Sequence, residues 1–220
     1  MTGFCELLLD VLFPPKCPFC RRLLERTEKE DGLCALCRKV LPRTHEEGKQ
    51  HFDGVEECIS PLWYREEVRE SVHRYKFSGR SAYAGVYARL MAESISEYME
   101  GGWDVITWTP LSKKRLRERG YDQAKLLAEE LAKELNAPVL PLLTREFHTK
   151  AQSSLKDASA RRANVAGVYR AVNTEELAGK RVLLVDDVVT TGATLNECAV
   201  TLLAAGGAEV RAVTLARGKR

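Results

Sequence analysis

Two adjacent carboxylates and a hydroxyl-rich loop follow an apolar run near the end of the sequence. The segment 182–194 reads Val-Leu-Leu-Val-Asp-Asp-Val-Val-Thr-Thr-Gly-Ala-Thr. The carboxylates of Asp186 and Asp187 can accept hydrogen bonds from the two hydroxyls of a sugar diol, and each charge-assisted contact contributes about 1.5–3 kcal/mol. Backbone N–H groups where a loop enters a helix, together with threonine hydroxyls, suit a phosphate dianion. The segment therefore predicts a site for a ribose 5-phosphate group.

The loop after the two acids supplies the candidate phosphate ligands. Gly192 has no side chain, so the backbone can approach an anion closely there. A Walker-type NTPase is disfavoured because the sequence contains no G-x-x-x-x-G-K-[ST] motif. A pair of acids that holds only a metal ion is disfavoured because the threonine loop follows at once. The predicted binding residues of the loop are Val188, Val189, Thr190, Thr191, Gly192, Ala193 and Thr194.

Four cysteines occur as two C-x-x-C pairs with thirteen residues between the pairs. Thiolates arranged as two such knuckles match the tetrahedral coordination of Zn²⁺. An iron–sulfur cluster and a redox dithiol are the alternatives. Because the protein would fill all four positions, we expect a structural metal without a catalytic role. The predicted ligands are Cys17, Cys20, Cys34 and Cys37.

The elements that must position these groups alternate between strand and helix from about residue 55. The continuous apolar run at 182–185 is typical of a strand buried on both faces of a parallel sheet. Other strands are predicted over 58–64, 104–109, 139–143 and 210–215, and helices over 66–77, 83–99, 124–135 and after residue 192. This alternation predicts a mostly parallel α/β sheet flanked by helices.

Composition divides the chain into two predicted domains, 1–52 and 53–220. The first carries an apolar helical stripe over 4–13 and the clustered cysteines, and the polar stretch 45–53 is interpreted as a linker. No run is long enough to cross a bilayer and no basic residue precedes the apolar start, so neither membrane insertion nor a signal peptide is predicted. An odd count of seven cysteines without such a signal indicates a reducing cytoplasm.

The segment 182–194 resembles the fingerprint with which type I phosphoribosyltransferases bind 5-phosphoribosyl-1-pyrophosphate (PRPP). Arg-Gly-Tyr-Asp-Gln at 119–123, followed by Gln152, is similar to the ComF family of ComFC- and GntX-like proteins. That family joins an N-terminal zinc ribbon to a phosphoribosyltransferase domain and is linked to DNA uptake in natural transformation. Tyr121 and Asp122 stand where the family usually has Phe and Asn.

The resemblance implies a type I phosphoribosyltransferase fold and, with Mg²⁺, transfer of a phosphoribosyl group from PRPP to an unidentified acceptor. It assigns Asp186 and Asp187 to the ribose as the catalytic pair. It places a pyrophosphate loop after the 104–109 strand, at Pro110, Leu111, Ser112 and Lys113. It places the mobile hood of such enzymes over 147–164, with the candidate residues Lys150, Gln152, Arg161 and Arg162. A Lys-aromatic-x-Gly element also matches the family, and it leaves Lys76 and Arg80 without an assigned role.

A second hypothesis treats the chain as a PRPP- or nucleotide-sensing module without transfer. Five cations lie between residues 113 and 119, where a helix is predicted to begin, and cations at that end oppose the helix dipole. Together with the cysteine head they favour single-stranded DNA or a competence helicase as partner. The alternative for these cations is an ordinary solvated helix face. The net charge of +3 does not by itself indicate nucleic acid.

Overall fold

The computed structural model describes residues 14–145 and 167–218, and a six-stranded sheet lies at the centre of this part of the chain. Its strands are β1 (Gln50–Phe52), β2 (Val55–Ile59), β3 (Leu62–Trp63), β4 (Val105–Trp108), β7 (Arg181–Val189) and β8 (Glu209–Arg217). They follow the order β1-β2-β8-β7-β4, and β3 also pairs with β8. Only the edge pair of β1 and β2 is antiparallel within this sheet. The predicted mostly parallel α/β sheet is confirmed.

Strand β7 is buried on both faces, as the apolar run predicts. Leu183 and Val185 belong to the apolar cluster on one face of the sheet, and Val182 and Leu184 belong to the cluster on the other. Successive side chains of a strand point to opposite faces, which explains this division. The strand continues beyond the predicted end at residue 185 to Val189, so both acids lie within its carboxyl-terminal part.

Helices cover both faces of the sheet. The described helices are α1 (Ala35–Val40), α2 (Glu66–Phe77), α3 (Tyr83–Tyr98), α4 (Lys113–Arg119), α5 (Gln123–Leu135), α6 (Thr174–Leu177) and α7 (Ala193–Ala204). Helices α3 and α5 pack together on one face through Leu90, Leu127 and Leu131, whereas α7 covers the other face through Leu195 and Leu202. The predicted helices over 66–77, 83–99 and 124–135 agree with α2, α3 and α5 to within one residue.

The stretch 45–53 differs from the linker interpretation. It contains a 3-10 helix, His45–Gly48, and the edge strand β1, which pairs with β2. Its polar composition reflects its place at the edge of the sheet and not a lack of structure. The predicted domain boundary between residues 52 and 53 stays a prediction.

The strand predicted over 139–143 is also different in the structure. A short strand β5 (Leu143–Arg145) pairs instead with β6 (Tyr169–Ala171) in a separate two-stranded sheet. Val139 makes only an isolated bridge, to Ile106. Pro138 and Pro141 have no N–H to donate, so a continuous ladder cannot form across this segment.

The cysteine head, residues 14–41, packs against helices α2 and α3. The rings of Phe19 and Tyr87 lie 5.8 Å apart between centroids. Cys17, Leu33 and Tyr75 are buried in the same apolar cluster as these two rings. The head and one face of the sheet therefore share a core.

Two predicted features, the helical stripe over 4–13 and the hood over 147–164, lie outside the described residues. Within the described ranges, the structure contains no helix long and apolar enough to span a bilayer.

Candidate functional site

Asp186 and Asp187 lie at the carboxyl end of β7, where open α/β sheets bind their ligands. Asp187 is buried, with 8% of its surface exposed. Asp186 Oδ1 accepts a hydrogen bond of 2.8 Å from the backbone N–H of Asp187. Burial raises the pKa of Asp186 to about 7, and the charge of Asp187 acts in the same direction. The two acids thus form one coupled, poorly solvated pair.

Lys76, at the end of α2, contacts this pair directly. Its Nζ lies 2.8 Å from Asp187 Oδ1, and 20% and 12% of the two side chains are exposed. The charge of Lys76 lowers the pKa of Asp186 and so opposes the effect of burial. No role could be predicted for Lys76 from the sequence, and its place in the Lys-Phe-Ser-Gly-Arg element was the only signal.

The loop from Thr190 to Gly192 turns the chain from β7 into α7. Gly192 adopts the left-handed conformation with φ of 82° and caps the helix. The N–H groups of the first helical turn have no partner within the helix and face the turn. A small cavity of about 40 Å³ lies here, lined by Asp186 and residues 188–195. The structure therefore brings one acid and the predicted phosphate loop together.

Phe52 is a neighbour of this loop that sequence reasoning missed. A Cβ placed on Gly192 would lie 2.2 Å from Phe52 Cδ1. Gly192 is thus required for two reasons, its positive φ and the close approach of this ring. Phe52 lies on β1 within the supposed linker, which is why no motif pointed to it.

The predicted pyrophosphate loop begins at the carboxyl end of β4, the strand next to β7. The N–H of Thr109 donates to the carbonyl of Val185 at 3.0 Å, and the Thr109 side chain lowers the pKa of Asp186. Ser112 Oγ caps α4 by accepting from the N–H of Arg115 at 3.3 Å. The loop therefore lies at the same sheet edge as the acids. Pro110, Leu111 and Ser112 are partly exposed there and Lys113 is exposed.

Asp122 holds the far side of that loop. Its Oδ2 accepts from the N–H of Leu111 at 3.0 Å, and its Oδ1 accepts from the N–H of Lys125 at 3.2 Å. Burial raises the pKa of Asp122, and the charge of Asp187 adds to the rise. The replacement of the family's usual Asn by Asp thus lies close to the acid pair and caps α5.

The segment 119–123 packs against the end of α2. The Tyr121 hydroxyl donates to the carbonyl of Tyr75, and the Tyr75 hydroxyl donates to the carbonyl of Gln123 at 2.9 Å. Arg119 stacks over Phe77 at 4.9 Å from the ring centroid. The Lys-Phe-Ser-Gly-Arg element at 76–80 and the Arg-Gly-Tyr-Asp-Gln element at 119–123, which both resemble the family, therefore meet beside the acid pair. The hood candidates Lys150, Gln152, Arg161 and Arg162 lie outside the described residues.

The four clustered cysteines converge in the head. Their Sγ atoms all lie within 4.8 Å of one another, and those of Cys20 and Cys34 are 3.6 Å apart. Zn–S bonds of about 2.3 Å in a tetrahedron require about 3.8 Å between sulfur atoms, so the donor set fits zinc. Within the described ranges no other group of three or more His, Cys, Asp or Glu residues converges in this way. The structure thus confirms that the four cysteines can share one metal.

Arg22 and Glu28 brace the two cysteine pairs. The interaction of Arg22 with Cys34 raises the pKa of Arg22. Glu28 accepts from the N–H groups of Ala35 and Glu25 at 2.7 and 2.9 Å and pairs with Arg22 at 2.5 Å. These bonds, above all those from the two N–H groups, lower the pKa of Glu28. The contacts join the two knuckles independently of the metal.

Comparison with known proteins agrees with both halves of this description. A family profile described as a phosphoribosyl transferase domain matches residues 122–220, and one described as a double zinc ribbon domain matches residues 8–48. The predicted fold class, a phosphoribosyltransferase fold behind a cysteine-based zinc ribbon, is confirmed.

Several curated proteins are similar over most of the chain. Competence protein F of Haemophilus influenzae is 34% identical over 70% of this chain and 69% of its own length. Competence protein ComFC of Bacillus subtilis is 32% identical over 70% of this chain, which spans 61% of that relative. DNA utilization protein YhgH of Escherichia coli K12 is 33% identical over 70% of this chain and 69% of its own length.

Among solved structures, the chain is similar to glutamine PRPP amidotransferase of B. subtilis complexed with ADP and GMP. The TM-score is 0.48 at 20% identity, over 64% of this chain and 30% of that one. Adenine phosphoribosyltransferase of Thermoanaerobacter pseudethanolicus has a TM-score of 0.40 at 15% identity. The match covers 64% of this chain and 83% of that one.

Proposed function

Because this chain belongs to the ComF family of competence proteins, we propose that it binds PRPP and transfers its phosphoribosyl group to an unidentified acceptor. One observation carries the proposal: the acid pair, of which Asp187 is buried, adjoins the donor-rich turn into α7 at the carboxyl edge of a parallel sheet. The relatives are named for competence or DNA utilization. We therefore place the activity in the handling of imported DNA.

In the proposed complex, Asp186 and Asp187 accept hydrogen bonds from the two ribose hydroxyls. The 5-phosphate binds in the turn at 190–194, where the first N–H groups of α7 and the positive end of its dipole favour an anion. The leaving pyrophosphate lies toward the loop 110–113. Mg²⁺, whose ligands are oxygen atoms, would be held by the pyrophosphate and hydroxyls of PRPP and would neutralise charge on the leaving group.

The proposed reaction substitutes the anomeric carbon of PRPP. A lone pair on the acceptor forms the new bond to C1 while the bond from C1 to the pyrophosphate oxygen breaks. Pyrophosphate leaves with that electron pair, and the acceptor loses its proton to solvent. This chain contributes by positioning the ribose and stabilising the negative charge that develops on pyrophosphate.

Calorimetric titration of PRPP with Mg²⁺ into the zinc-loaded protein tests the binding step. We expect the wild type to bind and the double variant Asp186→Asn, Asp187→Asn to lose at least about tenfold in affinity, which is about 1.4 kcal/mol. The matched control is Glu175→Gln with Glu176→Gln, which removes two adjacent exposed acids on α6. Wild-type protein that is folded and does not bind PRPP would contradict the proposal.

The transfer step needs a separate measurement. Release of pyrophosphate is followed with nucleobases, amines and single-stranded DNA as acceptors. Release that depends on one acceptor class and on both acids supports transfer. PRPP binding without pyrophosphate release in the presence of any acceptor class would favour a PRPP-sensing module over an enzyme.

That second candidate is favoured by a cationic cleft between the cysteine head and the segment 79–83. The cleft has a volume of about 500 Å³, and its charged lining residues in the described part of the chain are Lys16, Arg21, Lys29 and Arg80. The exposed start of α4 adds Lys113, Lys114 and Arg115. Such surfaces suit the phosphate backbone of single-stranded DNA.

Fluorescence anisotropy with a labelled single-stranded oligonucleotide tests the DNA-binding candidate. We expect affinity to change with PRPP and to fall when Lys113, Lys114 and Arg115 are changed to Glu. Arg21→Glu with Arg80→Glu tests the cleft in the same way. Affinity that survives both sets of charge reversals would contradict this candidate.

A further inference from the structure

Lys76 joins α2 to the acid pair by a contact with little access to solvent. Nζ lies 2.8 Å from Asp187 Oδ1, with 20% and 12% of the side chains exposed. Exposed ion pairs contribute little because water screens them, and a pair buried to this degree is screened much less. The charge of this ammonium also acts on Asp186, whose pKa it lowers.

The other titratable groups around the pair do not substitute for this cation. Cys58 on β2, Tyr169 on β6 and Cys198 on α7 face Asp186, and burial raises the pKa of each of them, so they stay neutral near pH 7. Tyr75 on α2 faces Asp187 and is neutral for the same reason. Asp122 is a further acid on the Asp187 side.

In the proposed complex, both acids accept hydrogen bonds from the ribose diol. Two adjacent carboxylates in a poorly solvated site repel each other, and one tends to take up a proton. A protonated carboxyl becomes a donor at one oxygen and loses acceptor capacity. The ammonium of Lys76 opposes this protonation and holds one oxygen of Asp187 in place.

The same helix is fastened to the cysteine head a short distance before Lys76. Ser71 Oγ donates to the carbonyl of Pro18 at 2.6 Å. Arg74 Nη2 donates to the carbonyls of Pro18 and Phe19 at 2.9 and 2.8 Å. Pro18 and Phe19 are the two residues between Cys17 and Cys20, so α2 is anchored on the backbone of the first cysteine pair.

We infer that Lys76 is a positioning residue for ribose recognition by Asp187, and that the anchorage of α2 on the first cysteine pair sets its position. The ribose part of this inference rests on the proposed function. Through this anchorage the cysteine head would help to position Lys76 at the PRPP site, although residues 14–41 do not themselves line the turn at 190–194. Arg74 and Lys76 are two residues apart, so a small rotation or shift of α2 at Arg74 moves Lys76 by a similar distance.

Carboxyl titration by NMR of the ligand-free protein tests the first part. We expect Lys76→Met to raise the pKa of Asp186, because a neighbouring positive charge is lost, and Lys76→Arg to restore part of the shift. Lys133→Met removes an exposed cation on α5 and is the control. An Asp186 pKa that is the same in Lys76→Met and wild type would overturn the inference.

PRPP titration over pH 6–9 tests the consequence for binding. We expect Lys76→Met to lose at least tenfold in affinity at pH 7.5, and the pH midpoint of binding to move upward. A merely structural role would not move that midpoint. Equal or tighter binding by Lys76→Met would overturn the inference, whereas a folded wild type that does not bind PRPP would overturn the proposed function.

A double-mutant cycle tests the anchorage. Arg74→Gln, with its zinc content verified as equal to wild type, should weaken PRPP binding several-fold in the wild-type background and have little further effect beside Lys76→Met. Arg69→Gln, at an exposed position of the same helix, is the control. Should Arg74→Gln affect folding, Arg74→Lys serves as the milder variant. Additive effects of the two substitutions would overturn the proposed link through α2.

Discussion

At the scale of single residues, the acid pair of β7 lowers the stability of the unliganded protein. Burial raises the pKa of Asp186 to about 7, well above its value in an unfolded chain. A carboxyl whose folded pKa is raised costs stability once it ionises. The cost therefore appears as the pH rises from about 4 through 7 and is absent under more acidic conditions.

Asp186→Asn should stabilise the protein while it weakens PRPP binding. The amide keeps an oxygen that can accept from the N–H of Asp187 and removes the buried charge. We expect the free energy of unfolding to rise by about 1–3 kcal/mol at pH 8, with about 2–4 °C in Tm for each kcal/mol, and by only about a fifth as much at pH 4.5. Thermal unfolding at the two pH values measures this. A gain that does not depend on pH would contradict the assignment of the cost to ionisation.

At the scale of elements, the turn between β7 and α7 is held by Gly192 and the ring of Phe52. Gly192→Ala would place a side chain in the left-handed region, at about 1–2 kcal/mol, and would also force the Phe52 ring to move. We expect a total loss of about 2–4 kcal/mol, the upper part from overpacking. Chemical unfolding and PRPP titration measure the two consequences, loss of stability and loss of binding.

Gly179 provides the matched control for that substitution. It also has positive φ, 68°, but nothing lies within 4 Å of a Cβ placed there. Gly179→Ala should therefore cost only the conformational part. Phe52→Ala should recover much of the extra loss in the Gly192→Ala background. Equal losses at the two glycines would mean that the Phe52 ring moves away at no cost.

The elements around this turn also show which features of the site could be predicted from the sequence. The acids, the loop and α7 are contiguous, and the apolar run at 182–185 fixes the strand before them, so local pattern was sufficient. Phe52 and Lys76 reach the site from β1 and α2, and no local pattern encodes such a contact. The strand predicted over 139–143 is different because Val139 and Leu143 pair with separate partners, Ile106 and Ala171, on either side of Pro141.

At the scale of the whole molecule, the cysteine head is part of the core that supports the site. Phe19 packs against Tyr87, and Tyr87 lies edge-on to Tyr75 at 5.3 Å between ring centroids. Tyr75 then hydrogen-bonds Gln123 beside the acid pair. Spacing of the cysteines predicted the metal site, but this packing depends on the folded position of α2 and could not be read from spacing.

Removal of the metal should therefore loosen one face of the molecule and leave the other intact. Cys34→Ser should abolish stoichiometric zinc and lower the free energy of unfolding by about 3–5 kcal/mol, comparable to the loss of one buried Phe. Hydrogen exchange should increase in α2 and α3, which contact the head, and stay unchanged in α7 on the opposite face. Cys198→Ser is the control, because that buried thiol lies in the other apolar cluster and its replacement should leave zinc content at wild-type level. Unchanged exchange in α2 after zinc loss would show that the head folds independently of the sheet, and the first cysteine pair would then have no influence on Lys76.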